Sequence, residues 1–333
     1  MTGGNDTVNT LRSSRFSTCW DLSRPFTLLP PVIGMLSGAL CGLGALATRS
    51  DLPLAELLAD RGPQILRAVV LGAIMAGALN AASNVLNQVT DLVNDRVNKP
   101  HRPLPSGRIS PRGALALSVV LYGLALGAGW AVGTTSTGIH ECFWIAVGGA
   151  VASVVYSVRP MRTKRRAWSA AVTIGVSRGL LLRACGWSCV ATVFVDPEPW
   201  FTAMAFFFFV LGASATKDFA DVEGDRQAGC HTLPVIHGAT LAARRVAPFL
   251  VFPWLLLPVG LVLEHPLGGS LLAVSANTLL PLTALLVVYG AYVARTLLRD
   301  PEGLLARENH PSWAHMYGLM MLAQGGLALA YLL

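Results

Sequence analysis

Charge is what this sequence has least of. Only 13% of its 333 residues are charged, against roughly 25% in soluble domains, while 53% are hydrophobic and the mean hydropathy is +0.55. A water-soluble globule is excluded, and an integral membrane protein is expected. The first 25 residues are polar and broken by Arg12, Arg15 and Arg24, so no apolar leader is read there. The six cysteines (Cys19, Cys41, Cys142, Cys185, Cys189, Cys230) form no Cys-x-x-Cys, which excludes a zinc ribbon and gives no disulfide framework; they read as packing residues. Acids are scarcest of all, 18 against 25 Lys and Arg, for a net charge of +7. The bases are scattered over juxtamembrane loops such as 159–166, which fits positive-inside anchoring and excludes nucleic acid as a partner.

Apolar stretches of about 20 residues suffice to cross a bilayer core of about 30 Å. Nine are read, at 26–48, 66–90, 114–133, 139–158, 168–194, 200–217, 245–264, 270–294 and 314–333, with 114–133 and 139–158 joined as a hairpin by Thr134 to Gly138. The fold class expected is all-α, a polytopic membrane helix bundle filling one domain over 1–333, with 1–24 a polar cytosolic tail. With the N-terminus inside, inner segments hold 20 of the 25 bases and outer loops only Arg49, Arg61 and Arg67. Gly34, Gly38 and Gly42 on the first span, and Gly123 and Gly127 on the third, predict close helix approach.

Against this scarcity, acids concentrate in two places. Asn87-Gln-Val-Thr-Asp91-Leu-Val-Asn-Asp95-Arg96 follows the second span, and Asp218-Phe-Ala-Asp221-Val-Glu-Gly-Asp225-Arg226 follows the sixth. Both contain Asp-x-x-x-Asp-Arg, and His101 and His231 continue the match at the same offset of 130 residues. Two related four-helix units plus a last helix are therefore expected, with the site between the halves. Acids four apart share a helix face, and the crowded charge calls for cations. Mg²⁺ takes one or two carboxylates and completes its shell with water and phosphate oxygens, so the two clusters suggest a diphosphate held between metal ions. A lone Asp-x-x-x-Asp otherwise only solvates a helix end. Asn87 adds a neutral oxygen one turn back, and Asn80 and Asn84 are either site residues or helix-packing amides.

The following loop, Asn98-Lys-Pro-His-Arg-Pro-Leu-Pro-Ser-Gly-Arg108, is stiffened by three prolines and presents Lys99 and Arg102 to phosphate oxygens, with membrane anchoring as the alternative; Arg96 and Arg226 are weaker candidates. Arg178 and Arg183 stand near the middle of a span, where a charge must face a polar cavity. Arg178 is read as binding an anionic acceptor or other negative group. Arg183, about 140° round the helix, points elsewhere. Phe206 to Phe209 either line an apolar tunnel or pack against lipid.

These residues resemble the UbiA superfamily of intramembrane prenyltransferases. The stretch from Asn84 to Ser110 is similar to the family's first aspartate-rich motif and loop, Lys217 to Val235 to its second, and Arg24-Pro-Phe-Thr27 adds a further likeness. The resemblance implies nine spans, a cavity capped on the cytosolic side, and Mg²⁺-dependent transfer of an isoprenoid chain from an allylic prenyl diphosphate. It implies that Asn87, Asp91 and Asp95 hold one Mg²⁺, and that Asp218, Asp221 and Asp225 hold a second. Asp91, Asp95, Asp221 and Asp225 are then the catalytic acids, with Asn84, Asn87, Lys99, Arg102, Asp218, Arg24 and Arg178 on substrate. Gln88 departs from the pattern, since many members carry an acid there, and a weaker cation grip is expected at that corner. The expected partners are the diphosphate donor, a small aromatic or lipid-like acceptor and membrane lipids, in a bacterial cell membrane with the site facing the cytoplasm. A terpene cyclase ionising the same donor without an acceptor is the alternative, and a transporter using Arg178 and Arg183 is a more distant one.

Overall fold

The computed structural model describes residues 15–227, 229–306 and 310–333; the first 14 residues of the expected polar tail lie outside them. A short helix α1 (Arg15–Ser23) and a 3₁₀ turn (Pro25–Leu28) lead into α2 (Leu29–Ser50), then α3 (Leu54–Thr90), α4 (Leu92–Asn98), α5 (Pro111–Ala131) and α6 (Glu141–Ser157). Next comes a continuous helical run, α7 (Ala167–Ile174), a π turn (Gly175–Leu181) and α8 (Leu182–Trp187). It is followed by α9 (Glu198–Ala213), a 3₁₀ turn (Ser214–Phe219), α10 (Val222–Gln227), α11 (Leu233–Val246), α12 (Phe252–Leu255), α13 (Ala276–Arg299), α14 (Gly303–Ala306) and α15 (Pro311–Leu332). The all-α membrane bundle expected from the sequence is what the chain forms.

Six helices among the described residues are long and apolar enough to cross a membrane, at 25–50, 54–90, 111–131, 198–219, 233–261 and 276–299. The other three expected segments fall on α6, of 17 residues, on the run from α7 to α8, and on α15. Boundaries moved where breakers act. The segment read as 245–264 is entered at Leu233 and loosened by Pro248, Pro253 and Pro258, each of which removes a helical N–H donor, leaving 3₁₀ turns on both sides of α12. Helix α3 begins three turns earlier than expected, and its 37 residues span about 55 Å, more than the bilayer core.

Glycine sets one seam and not another. A Cβ on Gly38 would strike the Arg183 backbone carbonyl, one on Gly186 the Met35 carbonyl, and one on Gly42 would lie 3.1 Å from the Trp187 ring, so α2 and α8 meet backbone to backbone. Gly123 and Gly127 have open space where a side chain would go, and the close approach expected of them is absent. Phe206 and Phe209 are buried against Trp254, so these two rings belong to the core rather than to a tunnel wall. Arg183 is buried with them, over the Phe206 ring and hydrogen-bonded to Ser37 and Gln324, and so points away from Arg178 as its helical offset required.

The two ends of the bundle differ. At one, the buried carboxylate of Glu141 accepts from Thr192 Oγ1 and Val193 N at 2.7 Å, and Glu198 accepts from Arg49, from Ala273 N at 2.6 Å and from the Tyr331 hydroxyl at 2.7 Å. These satisfied carboxylates pin loops to helix starts. The acidic motifs gather at the other end.

Candidate active site

Both motifs occupy the same local structure. Helix α3 stops at Asp91, which has φ −102° and ψ 7°, and α4 resumes at once; in the second copy the helix tightens to 3₁₀ at Ser214–Phe219 and resumes as α10. Short acidic side chains compete with helical backbone bonding, which favours such a break. In each, the second Asp donates its N–H to the first Asp's carbonyl, Asp95 to Asp91 and Asp225 to Asp221, both at 2.8 Å.

Three loops bring the motifs together. Lys99, from the loop after the first motif, lies 4.0 Å from Asp221 of the second. Arg102 places one guanidinium nitrogen 2.9 and 2.8 Å from the two oxygens of Asp95. The 163–166 turn pairs with the chain beyond the second motif, His231 donating to Arg165 O and Ala167 to His231 O. It thereby carries Lys164 to Asp91 Oδ1 (2.7 Å), Asn87 Oδ1 (2.8 Å) and Thr90 Oγ1 (3.0 Å), and Arg162 to Asp91 Oδ1 (3.0 Å).

Deeper in, Arg178 sits on the π turn, a distortion common at functional sites, and donates to Asn80 Oδ1 at 3.0 Å. Its side chain stays accessible although it stands near the middle of the helical run. Lys217 donates to the Tyr156 hydroxyl at 3.0 Å, with half-buried Asp218 beside it. Arg24 comes from the other side, near Arg102, Asp95 and Asp91; burial and then Arg102 pull its guanidinium down to about 10.

The donor set fits hard divalent cations, being carboxylate and amide oxygens. In the second motif burial, then Asp221, push the Asp225 carboxyl up to about 6. In the first motif Arg102, Arg162 and Lys164 already neutralise the acids, and among the described residues no three Asp, Glu, His or Cys side chains converge on one point.

Of the residues expected at the site, Asn87, Asp91, Asp95, Lys99, Arg102, Asp218, Asp221, Asp225 and Arg24 gather at this end, with Arg178 deeper along its helix. Asn84 does not join them, because its amide donates to Ser23 O and Thr27 Oγ1 instead. Gln88 is likewise turned to Leu22 O, so it stands off the acidic corner altogether. Arg226 pairs with Glu223 on the surface. Sequence reasoning missed Arg162 and Lys164, hidden in a basic run that reads as a membrane anchor, and Tyr156, an ordinary residue near the end of an apolar helix.

A helical membrane bundle with two facing carboxylate motifs, ringed by bases at one end, defines a polytopic enzyme of the intramembrane transferase type. The UbiA prenyltransferase family profile matches residues 35–319, and the chain belongs to that family. It is an intramembrane prenyltransferase. The bacteriochlorophyll synthase 33 kDa chain of Rhodobacter capsulatus is 28% identical over 316 residues, covering 93% of this chain and 91% of that one. The corresponding chain of Cereibacter sphaeroides is 30% identical over 85% and 83%. Digeranylgeranylglyceryl phosphate synthase of Methanopyrus kandleri is 30% identical over 72% and 83%. Among solved structures, a UbiA homolog from Archaeoglobus fulgidus superposes with a TM-score of 0.68 at 20% identity, over 95% of this chain and 99% of that one; another structure of it, with GPP and Mg²⁺, gives 0.63 at 19%, over 91% and 99%.

Proposed function

We propose that the chain transfers an isoprenoid group from an allylic prenyl diphosphate to an aromatic acceptor, with Mg²⁺, from the cytoplasmic side of a bacterial cell membrane. The observation that carries this reading is the union of the two motifs: Lys99 of the first reaches Asp221 of the second, and the turn bearing Lys164 is paired to the loop beyond Asp225. The positive-inside distribution supports the orientation. The bacteriochlorophyll synthase relatives, aligned along most of the chain, favour transfer to an acceptor over cyclisation.

Asn87, Asp91 and Asp95 would hold one Mg²⁺ and Asp218, Asp221 and Asp225 a second. When bound, such ions neutralise the diphosphate and stabilise its departure. Lys99, Arg102, Lys164 and Arg24 bind its oxygens as charge-assisted donors and stabilise the charge that grows as the allylic C–O bond breaks. Arg178, held by Asn80, orients the acceptor beneath. The apolar helices exclude water, so the allylic cation meets the acceptor rather than hydrolysing. Loss of a proton from the acceptor completes the transfer.

The test is diphosphate release by the purified protein from C10, C15 and C20 allylic diphosphates with Mg²⁺, with and without aromatic acceptors, and mass analysis of the products. An adduct formed only with acceptor is expected. Acceptor-independent release of a cyclic product would make the chain a cyclase.

A further inference from the structure

One face of α3 carries side-chain amides at three successive turns, and all three are spent on the same short segment. Asn80 Nδ2 donates to Thr27 O at 2.9 Å. Asn84 Nδ2 donates to Ser23 O at 3.0 Å and Thr27 Oγ1 at 2.8 Å, and Gln88 Nε2 to Leu22 O at 2.7 Å. The segment is fastened elsewhere too. Leu22 is fully buried against Val85, Leu104 and Ala114, and Asp21 pairs with Arg108 at 2.9 Å.

Arg24 lies between the docked carbonyls. Its backbone has φ 51° and ψ 67°, the left-handed region that non-glycine residues enter at a cost, and the Thr27 amide and hydroxyl close the turn onto Arg24 O at 2.9 and 2.8 Å. A strained backbone persists only where its surroundings dictate it. Here they hold Arg24 within charge reach of Arg102, Asp95 and Asp91.

We propose that Asn80, Asn84 and Gln88 are positioning residues: their amides dock residues 22–27 on α3 and so deliver Arg24 to the diphosphate. The proposal rests on the diphosphate reading of the site. Glutamine suits position 88 because a buried carboxylate there would face the Leu22 carbonyl with no proton to donate. Gln88 thus acts through Arg24, and not as a weakened metal ligand.

The test uses the full chain in nanodiscs. Gln88→Met removes the donor at nearly constant volume. It is expected to raise KM for a C20 allylic diphosphate about tenfold with kcat within about twofold, as is Arg24→Ala, and the double variant is expected to be no worse than Arg24→Ala. Amides of residues 15–28 are expected to exchange hydrogen faster in Gln88→Met and at wild-type rates in Arg24→Ala. Thr27→Val, which removes one acceptor of Asn84, is expected to shift KM and exchange in the same direction by less. Multiplying KM effects in the double variant, unchanged exchange in Gln88→Met, or a shifted Mg²⁺ activation midpoint in that variant would each overturn the proposal. A wild type inert toward every donor would overturn the diphosphate role of Arg24, whereas the docking stands or falls with the exchange rates.

Discussion

Lys99 Nζ stands 4.0 Å from Asp221 Oδ1, joining two motifs that lie 130 residues apart in the chain. Both side chains are more than one-third accessible, at 35% and 59%, so the pair contributes little to folding. Lys99→Ala is therefore expected to leave the melting temperature nearly unchanged. On the proposed reading its cost falls on phosphate binding, where a charge-assisted bond is worth about 1.5–3 kcal/mol, or roughly 10–150-fold in kcat/KM. Calorimetry and diphosphate-release kinetics on one preparation check both halves.

Asp91→Asn and Asp221→Asn keep volume and remove one negative charge from each motif. Turnover is expected to fall by at least about a hundredfold in each, the scale of losing a preorganised electrostatic contact. Circular dichroism and size-exclusion profiles should match wild type. Retained turnover in both variants would remove the acids from the chemistry. Chelation by EDTA is expected to abolish release in wild type, and added Mg²⁺ to restore it.

At the opposite end, Glu198 is fully buried and binds Arg49, Ala273 N and Tyr331. Glu198→Ala strands a partly buried guanidinium and two donors. A loss of about 3–5 kcal/mol is expected, read as a lower denaturation midpoint. The folded fraction should keep wild-type KM for the donor, since the acidic motifs lie at the other end.

Two glycines separate packing from propensity. Gly38→Ala drives a methyl into the Arg183 carbonyl and is expected to destabilise by about 1–3 kcal/mol. Gly123→Ala meets nothing within 4 Å and is expected to be neutral or stabilising by up to about 1 kcal/mol through helix propensity. Paired thermal melts decide it.

The sequence announced the bundle and the acids because both are written in local patterns: long apolar runs, and carboxylates concentrated where the chain otherwise avoids them. The interruption of the expected 245–264 span went unread, although Pro248, Pro253 and Pro258 carry its signal. What sequence could not supply was direction. Asn84 and Gln88 share helical spacing with Asn80 and lie next to Asn87 and Asp91, yet their amides turn to the N-terminal segment, a choice made by tertiary contact with residues about 60 positions away. Arg162 and Lys164 show the converse, for in a run of bases nothing local distinguishes the two that Asp91 selects.

Asp91 meets both Arg162 and Lys164, and Asp95 meets Arg102, so the acids of the first motif are matched internally, which on the proposed reading couples the two ligands of the site. A divalent ion arriving alone must pull carboxylates from bases, and a diphosphate arriving alone must pull bases from carboxylates. Arriving together, each frees the groups the other needs. Their affinities are then linked reciprocally, each strengthened by the other by the same factor.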